Sequence, residues 1–210
     1  MPRTRIKICG ITSADALLAA ADAGADAVGF VFHPPSPRHI DPEAAWELAA
    51  SCPPMLTTVG LTVDLTLDQF AKIESRCPTA MNQLHGHEPD SVVQELGPDV
   101  IKALQYDPAT IRDRLTHYDQ MPEVSAILVD GSPGGEGTAF DWQGLAEAAD
   151  GIAIPIILAG GLTPTNVAEA VRAVRPFAVD VSSGVESERG VKDTALIHDF
   201  CEAVRRADAD

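Results

Sequence analysis

Eight short apolar runs recur along this chain, and each is followed by a stretch with helical signals. The runs are IKIC (6–9), AVGFVF (27–32), MLTTVGLTV (55–63), TAMNQLH (79–85), DVIKAL (99–104), SAILVD (125–130), IPIILA (154–159) and FAVDVSS (177–183). The helical stretches fall at 13–24, 41–51, 66–76, 88–96, 107–118, 142–149, 163–174 and 192–206. Ser13 is placed to cap the first helix, Gly24 to end it, and Pro42 suits the first turn of the second. The apolar runs are continuous rather than alternating, as expected of parallel strands covered by helices on both sides. A regular βαβα order predicts an α/β fold with a parallel sheet. Eight units are the number that closes a (β/α)8 TIM barrel, and 210 residues lie near the small end of its range. An open doubly wound sheet is the alternative; it usually needs fewer strands, and no GxGxxG follows the first one. No linker-like segment divides the chain, so residues 1–210 read as one domain, with the acidic ADAD at 207–210 expected to be disordered.

Composition narrows the partners. Fifteen Lys and Arg against 31 Asp and Glu give a formal charge of −16, which disfavours nucleic acid and anionic membrane as partners. No apolar run approaches the ~18 residues of a membrane span, and the basic start lacks the apolar stretch of a signal peptide, so a cytoplasmic location is expected. Cys9, Cys52, Cys77 and Cys201 are scattered without a CxxC pair or a His cluster, which points away from a zinc site and from a disulfide framework.

In a barrel, chemistry lies at the C-terminal ends of the strands, and here nearly every one ends in a polar, reactive or glycine residue. Gly160-Gly161 after the seventh run and Ser183-Gly184 after the eighth offer backbone N–H groups and a hydroxyl, as in the phosphate sites of many barrels. The plainer reading is two tight turns needing positive φ. Cys9 ends the first run. It is a base or nucleophile only if its site favours the thiolate, which Lys7 on the same strand face would help, and it is otherwise a small buried hydrophobe. Asp130 ends AILVD at the barrel mouth, where partial desolvation would make it a proton donor; it also reads as a turn residue before Gly131. Asp180 is a second carboxylate on the same side, or a loop anchor. Arg38 sits in the proline-flanked loop HPPSPRH (33–39), where its guanidinium suits a carboxylate partner or solvent. His85 can bond a sugar hydroxyl or simply pack. The glycine-rich stretch 131–142 reads as a mobile loop over the site.

Taken in order, KICGIT (7–12), GADAVGFVFHPPSPRHI (24–40), QLHGHE (83–88), ILVDGSPGGEGTAFDW (127–142), ILAGGLTPTNV (157–167) and VDVSSGVESERGVKD (179–193) resemble the phosphoribosylanthranilate isomerase family of tryptophan biosynthesis. The resemblance implies an Amadori rearrangement of N-(5-phosphoribosyl)anthranilate to 1-(2-carboxyphenylamino)-1-deoxyribulose 5-phosphate. Asp130 would then protonate the furanose oxygen and Cys9 would remove the C2′ proton. Arg38 would hold the anthranilate carboxylate. Gly160, Gly161, Ser183 and Gly184 would bind the phosphate, with His85 and Asp180 lining the site. No metal or organic cofactor is expected, and the only partner is a small phosphoribosyl molecule bound by a monomer or homodimer. Two positions depart from the family pattern: Thr62 where Phe is usual and Thr163 where Asn is common. Two other functions are compatible with such a chain. One is a related isomerase acting on a histidine-pathway ribonucleotide, which normally has an Asp where Cys9 stands. The other is a phospho-ligand sensor, which needs neither acid nor base.

Overall fold

The structure, a computed structural model, describes residues 3–131 and 141–209. Eight parallel strands close into a barrel in chain order: β1 (Arg5–Cys9), β2 (Ala27–Val31), β3 (Thr57–Thr62), β4 (Met81–Leu84), β5 (Val100–Gln105), β6 (Val124–Asp130), β7 (Ile156–Ala159) and β8 (Ala178–Val181). Closure comes from β1 pairing with β8, where Lys7 lies level with Asp180. Between and after the strands run α1 (Ala14–Asp22), α2 (Pro42–Ala50), α3 (Leu67–Glu74), α4 (Asp90–Leu96), α5 (Ile111–Asp119), α6 (Trp142–Ala148), α7 (Val167–Val174) and α8 (Thr194–Ala209). The alternation read from the sequence is therefore the observed order. No helix among the described residues is long and apolar enough to cross a membrane.

Strand parity sorts the core into two layers, because successive side chains point to opposite faces. Val59, Ile101, Ala103, Ala126, Leu128, Ile157, Ala159 and Ala178 fill the barrel interior. Ile8, Phe30, Leu104, Ile127, Leu158 and Val179 point outward and pack beneath helix residues such as Leu17, Leu115, Leu145, Ile197 and Phe200. Each buried Leu, Ile or Phe of this outer layer contributes about 1.5–3 kcal/mol relative to exposure. The same parity that sends Ala126 and Leu128 inward sends Asp130 inward at the top, and on β8 it does so for Asp180 after Ala178.

Local signals hold at several helix starts. The Ser13 hydroxyl accepts from the Ala16 N–H at 3.3 Å, capping α1 as expected. Thr66 and Gln69 form a reciprocal capping box at α3. Two expected helix starts move. Helix α5 begins at Ile111, not 107, because the Asp107 carboxylate folds the intervening residues into a turn by accepting from Ala109 N at 3.0 Å and Thr110 Oγ1 at 2.9 Å. Helix α7 begins at Val167, not 163. The Asn166 side chain accepts from Thr163 N and donates to Gly161 O, both at 2.8 Å, so the chain between them is a side-chain-tied turn.

The expected disorder of the acidic tail is corrected: α8 continues to Ala209. Ala207 is buried there, and the Asp208 carboxylate accepts from Thr4 N at 2.8 Å and Thr4 Oγ1 at 2.7 Å, tying the helix end to the start of β1. Beyond β8 the chain forms a short 3-10 turn (Ser183–Val185) and a small antiparallel hairpin of β9 (Glu186–Glu188) and β10 (Val191–Lys192). The sequence reading contained no such hairpin.

Candidate active site

The C-terminal strand ends surround a cavity of about 440 Å³. Cys9, Arg38, His85, Asp130 and Asp180 all line it, so five of the nine residues singled out from the sequence converge on one space. One wall is apolar, made by Val31, Leu61, Val63 and Ala103. Gly160, Gly161, Ser183 and Gly184 lie apart from this lining, at the ends of β7 and β8. Gly160 and Gly161 have φ of 89° and 67°, the left-handed region that favours glycine. A Cβ on Gly184 would run into the Leu162 carbonyl oxygen, so the two loops abut and glycine is required at their contact. Of the stretch 131–142 expected to form a mobile loop, residues 132–140 lie outside the described residues, while Asp141 and Trp142 cap and begin α6.

Cys9 is buried on the inner face of β1, and bare Gly29 on β2 makes room for it: a Cβ there would stand 2.9 Å from Cys9 Sγ and 3.3 Å from Lys7 Nζ. Burial pushes the Cys9 thiol above its ordinary value, while the nearby Lys7 and Lys192 charges pull it down and Asp180 pushes it up. Lys7 therefore does favour the thiolate, as its place on the strand face implied, but desolvation outweighs it. Burial also works against the Lys7 charge. Asp180, at 2.7 Å from Nζ, together with the Cys9 sulfur, outweighs that penalty and holds the ammonium above its usual range.

Asp130 and His85 come from neighbouring regions of the opposite wall. Gln83 Nε2 lies 2.8 Å from His85 Nδ1, and the other ring nitrogen, Nε2, lies 3.6 Å from Asp130 Oδ2. Arg38 is no surface arginine. Its side chain is 12% exposed and its guanidinium grips Glu186 in a two-pronged pair, Nε to Oε1 at 2.7 Å and Nη2 to Oε2 at 3.0 Å. Sequence reasoning passed over Glu186, Lys192, Gln83, Arg114 and Arg189. Glu186 and Lys192 stand within VESERGVKD, a polar stretch that gives no sign of burial; Arg114 and Arg189 line the cavity from α5 and the hairpin tip. Among the described residues no cluster of three or more His, Cys, Asp or Glu is arranged to hold a metal ion.

A closed parallel barrel with its reactive side chains at the C-terminal strand ends defines the class: a (β/α)8-barrel enzyme. Residues 6–203 match the family model for N-(5'phosphoribosyl)anthranilate (PRA) isomerase. The chain is 47% identical over 209 residues to an N-(5'-phosphoribosyl)anthranilate isomerase of Geobacter metallireducens, covering 98% of this chain and 99% of that one. It superposes on the phosphoribosyl anthranilate isomerase of Thermotoga maritima with a TM-score of 0.88 at 38% identity, covering 97% and 99% of the two chains. A second such structure, holding reduced 1-(o-carboxyphenylamino)-1-deoxyribulose 5-phosphate, gives 0.84 at 36% identity with the same coverage. The chain belongs to the N-(5'-phosphoribosyl)anthranilate isomerase family.

Proposed function

We infer that Cys9 and Asp130 are the base and the acid with which this chain isomerises N-(5'-phosphoribosyl)anthranilate in tryptophan biosynthesis. The observation that carries the assignment is their convergence, with Arg38, on one cavity that also has an apolar wall. In this reading the Asp130 carboxyl protonates the furanose oxygen as the C1′–O bond breaks, leaving a Schiff base. His85 stands beside that carboxyl and bonds the sugar. Cys9 takes the proton from C2′, the electron pair moves toward the nitrogen, and an enolamine forms. Protonation at C1′ and loss of the C2′ hydroxyl proton give the ketone. Every step is a proton transfer, the work of a positioned acid and base. The anthranilate ring lies on the apolar wall with its carboxylate on Arg38. The phosphate takes the backbone N–H groups around Gly160, Gly161, Ser183 and Gly184, which add no formal charge to a chain of −16. One chain supplies every residue of this site, so it works as a monomer or a homodimer.

The test follows the fluorescence loss of freshly formed substrate in Cys9→Ser and Asp130→Asn. Each is expected to lower kcat by about 10²–10⁴-fold with KM little changed. Near-normal turnover in either variant removes that residue from the mechanism.

A further inference from the structure

The β9–β10 hairpin lies outside the barrel sheet, yet its two buried charges reach both the substrate anchor and the base. The Glu186 side chain is 4% exposed and accepts four bonds: from Arg38 Nε (2.7 Å), Arg38 Nη2 (3.0 Å), Lys192 Nζ (2.7 Å) and Gly190 N (3.1 Å). Burial alone would raise its pKa, but these donors hold it at about 2. Lys192, 1% exposed, also donates to Ser182 O at 3.0 Å and Ser182 Oγ at 3.2 Å. Ser182 Oγ in turn donates to the Cys9 carbonyl at 3.0 Å. One carboxylate thus stands at the head of two chains of contacts, one ending at Arg38 and the other at Cys9.

The Arg38 geometry is specific. A guanidinium offers five N–H donors on two forked edges. Glu186 occupies the Nε–Nη2 edge, and the Nη1–Nη2 edge has no acceptor among the described residues. The side-chain stem lies over the bare backbone of Gly10, where a Cβ would come within 2.8 Å of Arg38 Cδ. The hairpin itself is seated on the Arg38 loop, since a Cβ on Gly190 would meet Pro37 O at 2.5 Å. A planar group held on one edge and pressed along its stem presents its other edge in a single orientation.

We propose that Glu186 is a positioning residue that fixes Arg38 to present its free edge to the substrate carboxylate and, through Lys192 and Ser182, fixes Cys9 and the charge around it. The proposal rests on the roles given above to Arg38 and Cys9. The charged groups facing Cys9 are Lys7 on its own strand, Asp180 from β8 and Lys192 from β10; β2 brings only Gly29. Taking away the Lys192 charge leaves Lys7 to oppose Asp180 and burial alone. The thiolate then forms at higher pH.

Three variants test this with steady-state kinetics across pH, each checked for folding by circular dichroism. Glu186→Gln keeps the shape but loses the charge, and is expected to raise KM by about tenfold or more with a smaller change in kcat. Lys192→Met leaves the Arg38–Glu186 pair in place and is expected to move the ascending limb of the kcat profile to higher pH by about half a unit or more. Lys192→Arg restores the limb. Arg38→Ala separates the two layers of the argument. If it raises KM while Glu186→Gln stays within about twofold of the parent, Arg38 binds substrate without needing Glu186 and the proposal fails. If Arg38→Ala itself leaves KM unchanged, the Arg38 assignment fails and takes that half of the proposal with it. A limb that does not move in Lys192→Met overturns the Cys9 half; should Glu186→Gln not fold, Glu186→Asp, which keeps the charge but shortens its reach to Arg38, decides the Arg38 half by the same comparison of KM.

Discussion

Two barrel strands each bury a lysine, and strand parity sends them to opposite sides of the wall. Lys7 on β1 points inward, where it meets Asp180 at 2.7 Å with side chains 4% and 9% exposed and stands at the Cys9 sulfur. Lys102 on β5 points outward, between Ile101 and Ala103 of the inner layer, and meets Glu88 at 2.5 Å with both side chains 2% exposed. It also donates to Gly86 O at 2.8 Å. Glu88 accepts from Asp64 N and Gly86 N, both at 3.0 Å, so this pair ties the loops after β3 and β4 behind the cavity. The chemistry of the two pairs is the same. What differs is what the pair faces: the first sets the electrostatics of a reacting group, the second holds the backbone that carries His85. A buried ion pair is therefore to be read from its side of the sheet, not from its burial.

The comparison breaks most sharply through Lys102. Lys102→Met strands a buried carboxylate and is expected to cost about 3–5 kcal/mol of stability, measured by urea unfolding, while kcat well below the melting point stays within severalfold of the parent. Combining it with Glu88→Gln removes the stranded charge but keeps an amide oxygen for the Asp64 and Gly86 N–H groups, and most of that loss is expected to return. Equal stability of parent and single variant would show that the outward pair holds nothing. Lys7→Met is expected to reverse the balance. The Cys9 thiolate loses its nearest cation, and kcat should fall by roughly 100-fold, with a smaller loss of stability than in Lys102→Met because Asp180 borders the cavity. If Lys7→Met unfolds the chain as readily as Lys102→Met and spares kcat, the two sides are not distinct.

The smallest effect is in acid. Burial works to raise the Glu88 pKa, but its bonds with Lys102 and the backbone win and hold it below the usual carboxylate value. Between the folded and unfolded values the unfolded chain binds more protons, so stability rises with pH there. The contribution is complete above about pH 4.5 and is lost as pH falls through the folded value. Thermal melts from pH 6 to pH 3 should show a shallower acid decline in Lys102→Met than in the parent. Parallel curves would assign the acid sensitivity to other carboxylates.

Much of the site was legible because a barrel turns periodicity into geometry. Once eight apolar runs are parallel strands, period two and the rule that chemistry sits at strand ends place Cys9, His85, Asp130 and Asp180 on one inner surface. Arg38 was legible as a cation but not as a buried one, because its partner Glu186 lies 148 residues away. Nor was the hairpin: ESE and VK have neither length nor apolar pattern, and besides its own Lys192–Glu186 pair it is seated by the long-range pair of Glu186 with Arg38. Helix starts shifted where an Asp or Asn side chain captured the backbone first, as Asp107 and Asn166 do.

By itself, then, the sequence determined the architecture and the set of reactive strand ends, because hydrophobic periodicity and turn chemistry act over a few residues. Only the tertiary structure decided the charges. It buried Lys7 against Asp180, drew Lys192 and Glu186 in behind Cys9 and Arg38, and ordered Asp208 against Thr4. An ion pair in low dielectric depends on distance and desolvation, and both come from elements that meet only when β8 closes on β1.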